Sequence, residues 1–401
     1  MRIIWIKVGG LFPVNTGGRR RTFETLAALS LRHRVVLLTT DGPGEDPSLL
    51  AAALPECEVI SVPLAIPKRG SLRFALSLLR SWFSAWPVDL WRCRSRALRE
   101  QLELQLAKAP VDVCVADFLA AVPNLPERLG PPLLLFEHNV ESQIWRRLHD
   151  AETRPWARLL LALEWRKLRR VEARACARAR RTVAVSETDR AQLSLLAPGA
   201  DIVAVPTGVD TTYFAPGKLP EWPRELVFTG AMDWFPNEDG ILRFLESTLP
   251  LIRRALPEVT LTVVGRNPSA RLRAAAVAAG ALVTGTVDDV RPYLAAAAVC
   301  VVPLRIGGGT RLKIFEALAM AKAVVSTTIG AEGLPVVSGK HLLIADEPAP
   351  FADAIVGLLR DPTRRAALGA AGRDLVEWQF AWPQVARRFE QQLTEVTGHA
   401  S

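Results

Sequence analysis

No stretch of this 401-residue sequence approaches the roughly 20 apolar residues that a membrane-crossing helix needs. The most apolar run, residues 294–304, reads as a helix end leading into a strand. The opening MRIIWIKVGG holds too short an apolar stretch for a secretory signal, so the mature protein is expected to begin here. Cysteine is scarce: Cys57, Cys93, Cys114, Cys176 and Cys300 are odd in number and nowhere spaced CxxC. Neither a disulfide framework nor a structural zinc site is implied, and a reducing, cytoplasmic setting is expected. Also missing are the GxGxxG fingerprint of a dehydrogenase and any helix-turn-helix, zinc or RNP-like aromatic signature of a nucleic-acid binder.

What is present suits a folded protein of two domains, with 49% apolar and 23% charged residues. The net charge is +9, and 42 of the 50 basic residues are arginine. Up to Gly217 there are 30 basic against 22 acidic residues, so nearly all the excess lies in the first half. That half is expected to face an anionic partner, although arginine-rich solvated helix faces would account for the same count.

Short β-branched runs alternate with longer helical segments. Strands are expected at 3–8, 35–39, 59–62, 111–116, 133–137 and 182–185, then at 226–229, 260–264, 281–284, 299–302 and 323–326. Helices are expected at 19–31, 72–86, 94–107 and 155–179. Continuous apolar strands joined by helices mean parallel sheets covered on both faces, so the fold class is α/β, doubly wound. Three prolines within 216–223 read as an interdomain linker. The expected division is 1–205, 206–380 and 381–401, the last holding an amphipathic helix that packs back on the first domain. Two Rossmann-like domains would face one another across a cleft, with ligands beyond the carboxyl ends of the strands.

The most informative segment runs from Val301 to Leu318. A strand ends at Pro303, Gly307, Gly308 and Gly309 follow, and Thr310 is placed to cap a helix starting near Arg311. Glycines let the backbone approach a ligand, and the helix start offers free N–H groups. Arg311 and Lys313 add cations at an end where they oppose the helix dipole by a few tenths of a kcal/mol each, which makes sense if an anion sits there. A diphosphate fits. Glu316, one turn on, could accept hydrogen bonds from ribose hydroxyls or pair with Lys313 or Arg311 along the helix. A second glycine pair, Gly17–Gly18, again lies between a strand and a helix.

These loops belong to a wider set: Val185-Ser186-Glu187, Gly208-Val209-Asp210, the stretch from Phe228 to Asn237, Val264-Gly265-Arg266-Asn267-Pro268, Thr284-Gly285-Thr286-Val287 and Gly330-Ala331-Glu332-Gly333-Leu334. Together they resemble retaining glycosyltransferases of family 4, with the GT-B fold, and most of all bacterial members associated with exopolysaccharide assembly. The resemblance implies that the second domain binds a nucleoside-diphosphate sugar, with no metal or other cofactor. Arg311 and Lys313 would hold the diphosphate and Glu316 the ribose, with Gly230 nearby. Gly265, Arg266, Thr286 and Val287 would frame the base, and Gly17 and Gly18 would reach the phosphates from the first domain. Two departures stand out. Gly308 occupies the place of the first of two family glutamates, so the donor sugar would rest on the backbone of 307–310. The Arg and Lys that many members carry after the second domain's first strand are absent from 230–237, leaving that work to Arg311 and Lys313.

His138 ends the strand LLLFEH, and the resemblance implies a hydrogen bond from it to the transferred sugar; a lone histidine is otherwise more often structural. Glu141 reads as a helix N-terminal charge, and Asp288-Asp289 as a helix cap rather than metal ligands. The expected reaction is hexosyl transfer to an acceptor hydroxyl with the anomeric configuration retained; a GT-B nucleotide-sugar epimerase is the alternative, and a basic nucleic-acid binder a remoter one. Residues 68–99 interleave arginines with Leu72, Phe74, Trp82, Trp86 and Trp91. That suits a helix lying on an anionic bilayer, at the inner face of the membrane and beside a glycan or lipid-linked acceptor; a core-packing helix with a solvated basic face would read alike.

Overall fold

The structure, a computed structural model, describes residues 1–14, 16–43, 45–67, 70–217, 220–306 and 312–398. It divides into two units, Met1–Pro206 with Val385–Ser401, and Thr207–Gln384.

In the first unit, β1 (Arg2–Lys7), α1 (Gly17–Ser30), β2 (Arg34–Asp41), α2 (Pro47–Ala53) and β3 (Cys57–Pro63) come in turn. Three helices, α3 (Leu72–Trp82), α4 (Val88–Trp91) and α5 (Arg96–Lys108), lead to β4 (Val113–Asp117) and β5 (Leu133–Phe136). The rest is α6 (Glu141–Ala151), α7 (Pro155–Arg178), β6 (Arg181–Ala184), α8 (Glu187–Leu196) and β7 (Ile202–Ala204). The strands form one parallel sheet in the order β3-β2-β1-β4-β5-β6-β7. Every residue of β1 and β4 is buried, as strands covered on both faces require. Helix starts follow local chemistry: the side chains of Thr16, Ser71, Ser95 and Ser186 accept backbone hydrogen bonds at α1, α3, α5 and α8.

The second unit opens with β8 (Trp222–Thr229), α9 (Phe235–Arg243), α10 (Leu249–Ala255), β9 (Thr260–Val264), α11 (Ala270–Ala278) and β10 (Leu282–Gly285). It continues with α12 (Arg291–Ala296), β11 (Ala297–Val302), α13 (Leu312–Ala319), β12 (Ala323–Ser326) and β13 (Leu343–Ile344). α14 (Pro348–Arg360), α15 (Pro362–Gln379) and α16 (Trp382–Thr397) close the chain, α16 passing into the first unit at Val385. Its sheet is also parallel, in the order β10-β9-β8-β11-β12-β13. Within the first unit, Phe389 of α16 packs on Trp5 and Phe136 at ring distances of 5.5 and 4.8 Å, and Glu390 accepts from Arg32 and lies 2.7 Å from His33.

The expected linker is not one. The units part between Pro206 and Thr207, and 216–223 lies within the second. Glu221 takes Lys322 and Arg365 at 2.9 and 2.7 Å, so this segment is stitched to its own unit. Pro223 sits near the start of β8, where a missing N–H is tolerated. Prolines forbid a helix there, but they do not mark a boundary.

Candidate functional site

In each sheet the strand order reverses once, and open parallel sheets bind ligands at the carboxyl ends beside that reversal. In the first unit it falls between β1 and β4, whose last residues, Lys7 and Asp117, are paired in register. Asp117 is fully buried, and its Oδ2 accepts from Trp5 Nε1 at 2.9 Å and Thr22 Oγ1 at 2.6 Å, with Lys7 Nζ at 3.4 Å. His138, which follows β5 by two residues, places Nε2 2.9 Å from Asp117 Oδ1, a close contact without the in-line geometry of a hydrogen bond. Burial alone would raise the Asp117 carboxyl, but Lys7 and His138 outweigh it and hold it well below the usual carboxylate range. Burial also lowers the Lys7 ammonium, against the pull of Asp117. The same desolvation pushes His138 down to about 3, so its imidazole is neutral at ordinary pH.

Phe118 takes a φ of 67°, an uncommon twist for a bulky residue, and its ring stacks on His138 at 3.8 Å. Gly18 is required beside them: a Cβ there would stand 2.8 Å from Phe118 Cζ and 3.7 Å from His138 Nδ1. The first turn of α1 therefore abuts the imidazole, and Nδ1, buried and without a hydrogen-bond partner among the described residues, faces it. An unpaired buried nitrogen costs about 1–3 kcal/mol. Next to this cluster, the carboxylate that caps α6 is Glu172 of α7, not Glu141: it accepts from the Glu141 and Ser142 N–H groups at 2.7 and 3.1 Å. Burial pushes Glu172 to about 7 and, with Glu172 as neighbour, raises Glu137 well above the carboxylate range.

In the second unit the reversal falls between β8 and β11. Gly265 packs so close that a Cβ would overlap the Gly230 carbonyl oxygen at 1.7 Å. Lys313, in the first turn of α13, reaches the end of β8: its Nζ donates to Asn237 Oδ1 at 2.6 Å and stands 4.1 Å from the Phe228 ring centroid. Glu316 lies one turn further along α13, half-buried. Arg266 is exposed and pairs with Asp233 at 3.3 Å, while its carbonyl accepts from the Met232 N–H. Thus Gly230, Gly265, Arg266 and Lys313 are brought together. Thr286 and Val287 are not: they follow β10, two strand spacings or about 10 Å from β8. Gly307, Gly308, Gly309, Thr310 and Arg311, like Lys68 and Arg69, lie outside the described residues. Asp289 accepts from the Arg291 backbone and side chain at the start of α12, as a cap would. Among the described residues, no group of three or more His, Cys, Asp or Glu is arranged to hold a metal ion.

Sequence reasoning missed Lys7, Asp117 and Asn237. For the first two the signal was there: strands with apolar interiors that each carry one charged residue at the carboxyl edge.

On the surface of the first unit, α3 turns Phe74 and Leu78 toward the core and leaves Leu72, Leu76, Leu79, Trp82 and the following Phe83 exposed, Phe83 at 92%. The helix stops at Trp82, short of the expected 86. On α7, Trp156, Leu159 and Leu163 are exposed at helical spacing. No helix among the described residues is long and apolar enough to cross a membrane.

Two family models match the chain: "Glycosyltransferase Family 4" over residues 16–213 and "Glycosyl transferases group 1" over 223–361. A phosphatidyl-myo-inositol mannosyltransferase of Mycolicibacterium smegmatis is 30% identical over 221 residues, 52% of this chain and 56% of that protein. A GDP-mannose-dependent alpha-(1-6)-phosphatidylinositol monomannoside mannosyltransferase of Mycobacterium tuberculosis is 31% identical over 218 residues, 49% of this chain and 56% of its own. The chain spans about half the length of these curated relatives. Among solved structures, sucrose-phosphate synthase from Thermosynechococcus elongatus superposes over 100% of both chains with a TM-score of 0.74 at 18% identity, a likeness of fold.

Proposed function

We propose that this chain, of the GT-B fold and built from two glycosyltransferase-family domains, moves a hexose from a nucleoside diphosphate to an acceptor hydroxyl with retention of configuration. The observation that carries the reading is the Lys313 ammonium, fixed over Phe228 at the carboxyl end of β8. In the reaction the bond between the anomeric carbon and the diphosphate oxygen breaks. The acceptor oxygen bonds to that carbon on the same face, and its proton passes to the departing phosphate oxygen. The demand on the protein is stabilisation of leaving-group charge, which Lys313 and Arg311 meet with the α13 N-terminus, without a metal. Glu316 takes the ribose, and Gly17 and Gly18 offer backbone N–H groups. The neutral His138, held by Asp117 and Phe118, hydrogen-bonds the sugar through Nδ1.

The relatives' names favour GDP-mannose as donor and a lipid-linked acceptor, in glycolipid or exopolysaccharide assembly. The exposed leucines, Trp82 and Phe83 of the α3 region, with Arg73 and Arg80, suit an anionic bilayer carrying that acceptor. The test is incubation with GDP-mannose or UDP-glucose and bacterial lipid extract, with product stereochemistry read by NMR. A glycosylated lipid with the donor's anomeric configuration is expected. Release of isomerised nucleotide sugar, with no transfer, would contradict the reading. Vesicles containing phosphatidylglycerol should co-sediment with the protein, and less so after Leu72→Ser with Phe83→Ser; equal sedimentation would remove the membrane contact.

A further inference from the structure

The loop from Gly230 to Asn237, which leaves the central strand β8, contains neither Arg nor Lys; its one charged residue, Asp233, is engaged by Arg266 at 3.3 Å and Asn267 at 3.0 Å. The cation at this strand end comes instead from α13, through the long side chain of Lys313. A lysine has many rotamers, and a charge useful to a ligand must be held in one of them. Three features do so. Phe228 lies beneath the ammonium, 4.1 Å away. Gly230 leaves the space, since a Cβ there would stand 2.8 Å from Lys313 Nζ and 2.8 Å from Asn237 Nδ2. Asn237, buried in the first turn of α9, accepts from Lys313 at 2.6 Å and donates from Nδ2 to the Ala231 carbonyl at 2.8 Å. That second bond fixes which way the amide faces, because only the oxygen can then meet the ammonium.

We infer that Asn237 is a positioning residue for the donor diphosphate: through its hydrogen bond to Nζ it sets the Lys313 ammonium where the leaving group binds, and as a neutral acceptor it adds no negative charge of its own. A carboxylate at 237 would hold the lysine as firmly but cancel the charge that the diphosphate needs. The inference rests on the donor-site reading above, and the experiment separates the two.

GDP and UDP are titrated calorimetrically into wild type, Asn237→Ala, Lys313→Ala and the double variant, with the melting temperature of each recorded. Asn237→Ser repeats the series should the alanine variant fold poorly. Removing the amide should weaken the better-bound nucleotide about tenfold in wild type and less than about twofold in the Lys313→Ala background, as for two members of one unit. An equal loss in both backgrounds would mean that Asn237 merely supports the fold, and would overturn the inference. So would full affinity in Asn237→Ala when Lys313→Ala has lost it. Wild-type affinity in Lys313→Ala would instead bring down the donor-site reading itself.

Discussion

The two strand-order reversals use charge in opposite ways. At the end of β1 and β4, Lys7 and Asp117 are buried together, and His138 is pressed neutral between Asp117 and the Phe118 ring. At the end of β8, Lys313 is held by an amide and an aromatic face, neither of which cancels its charge. The first arrangement can orient a neutral hydrogen-bonding group; the second can attract an anion. A parallel sheet supplies the same location twice, and the partner given to each lysine decides what the location does.

The sharpest way to break this contrast is to remove the compensation in the first unit. Asp117→Ala leaves a buried Lys7 unpaired and should cost about 3–5 kcal/mol in urea unfolding. Lys313→Ala leaves the buried Asn237 Oδ1 without its donor and should cost about 1–2 kcal/mol of stability, while lowering kcat/KM for the donor by about 10²–10³-fold, roughly 3–4 kcal/mol of transition-state stabilisation. Gly18→Ala, whose new methyl would crowd Phe118, should cost about 1–3 kcal/mol and show as a lowered melting temperature. The mildest effect is in pH. His138 has a folded pKa of about 3, far below its unfolded value, so the unfolded chain takes up the proton first on acidification. The stability tied to its neutral form is complete above pH 6.5 and drains as pH falls toward 3. Measured against His138→Gln, wild type should lose about 1 kcal/mol more between pH 7 and 5.5; a constant difference would mean the imidazole is not desolvated.

The alternation of strands and helices made both sheets legible, and Gly17–Gly18 in one unit and Gly230 with Gly265 in the other marked the carboxyl edges, because those signals are local. Of the Asp117 cluster, only the charged strand ends Lys7 and Asp117 were legible; that they meet Trp5, Thr22 and His138 was not, since these residues are scattered along the chain and come together only once β1, β4 and β5 are aligned. Asn237 escaped for the same reason, its partner Lys313 being 76 residues away. Glu141 does sit in the first turn of α6, as the sequence suggests, but the carboxylate that accepts the N–H bonds there is Glu172, across the α6–α7 pair, which no local signal reveals. The prolines at 216–223 misled because they report what the backbone cannot do, whereas the ion pairs of Glu221 decide to which unit the segment belongs.

Binding of GDP and UDP to wild type and Lys313→Ala, compared by titration calorimetry at one ionic strength, tests the central claim most directly. At least one nucleotide should bind wild type and bind the variant at least tenfold more weakly, with both proteins fully folded at the titration temperature. Failure of both nucleotides to bind wild type, or equal binding to the two proteins, would contradict a diphosphate site at the end of β8.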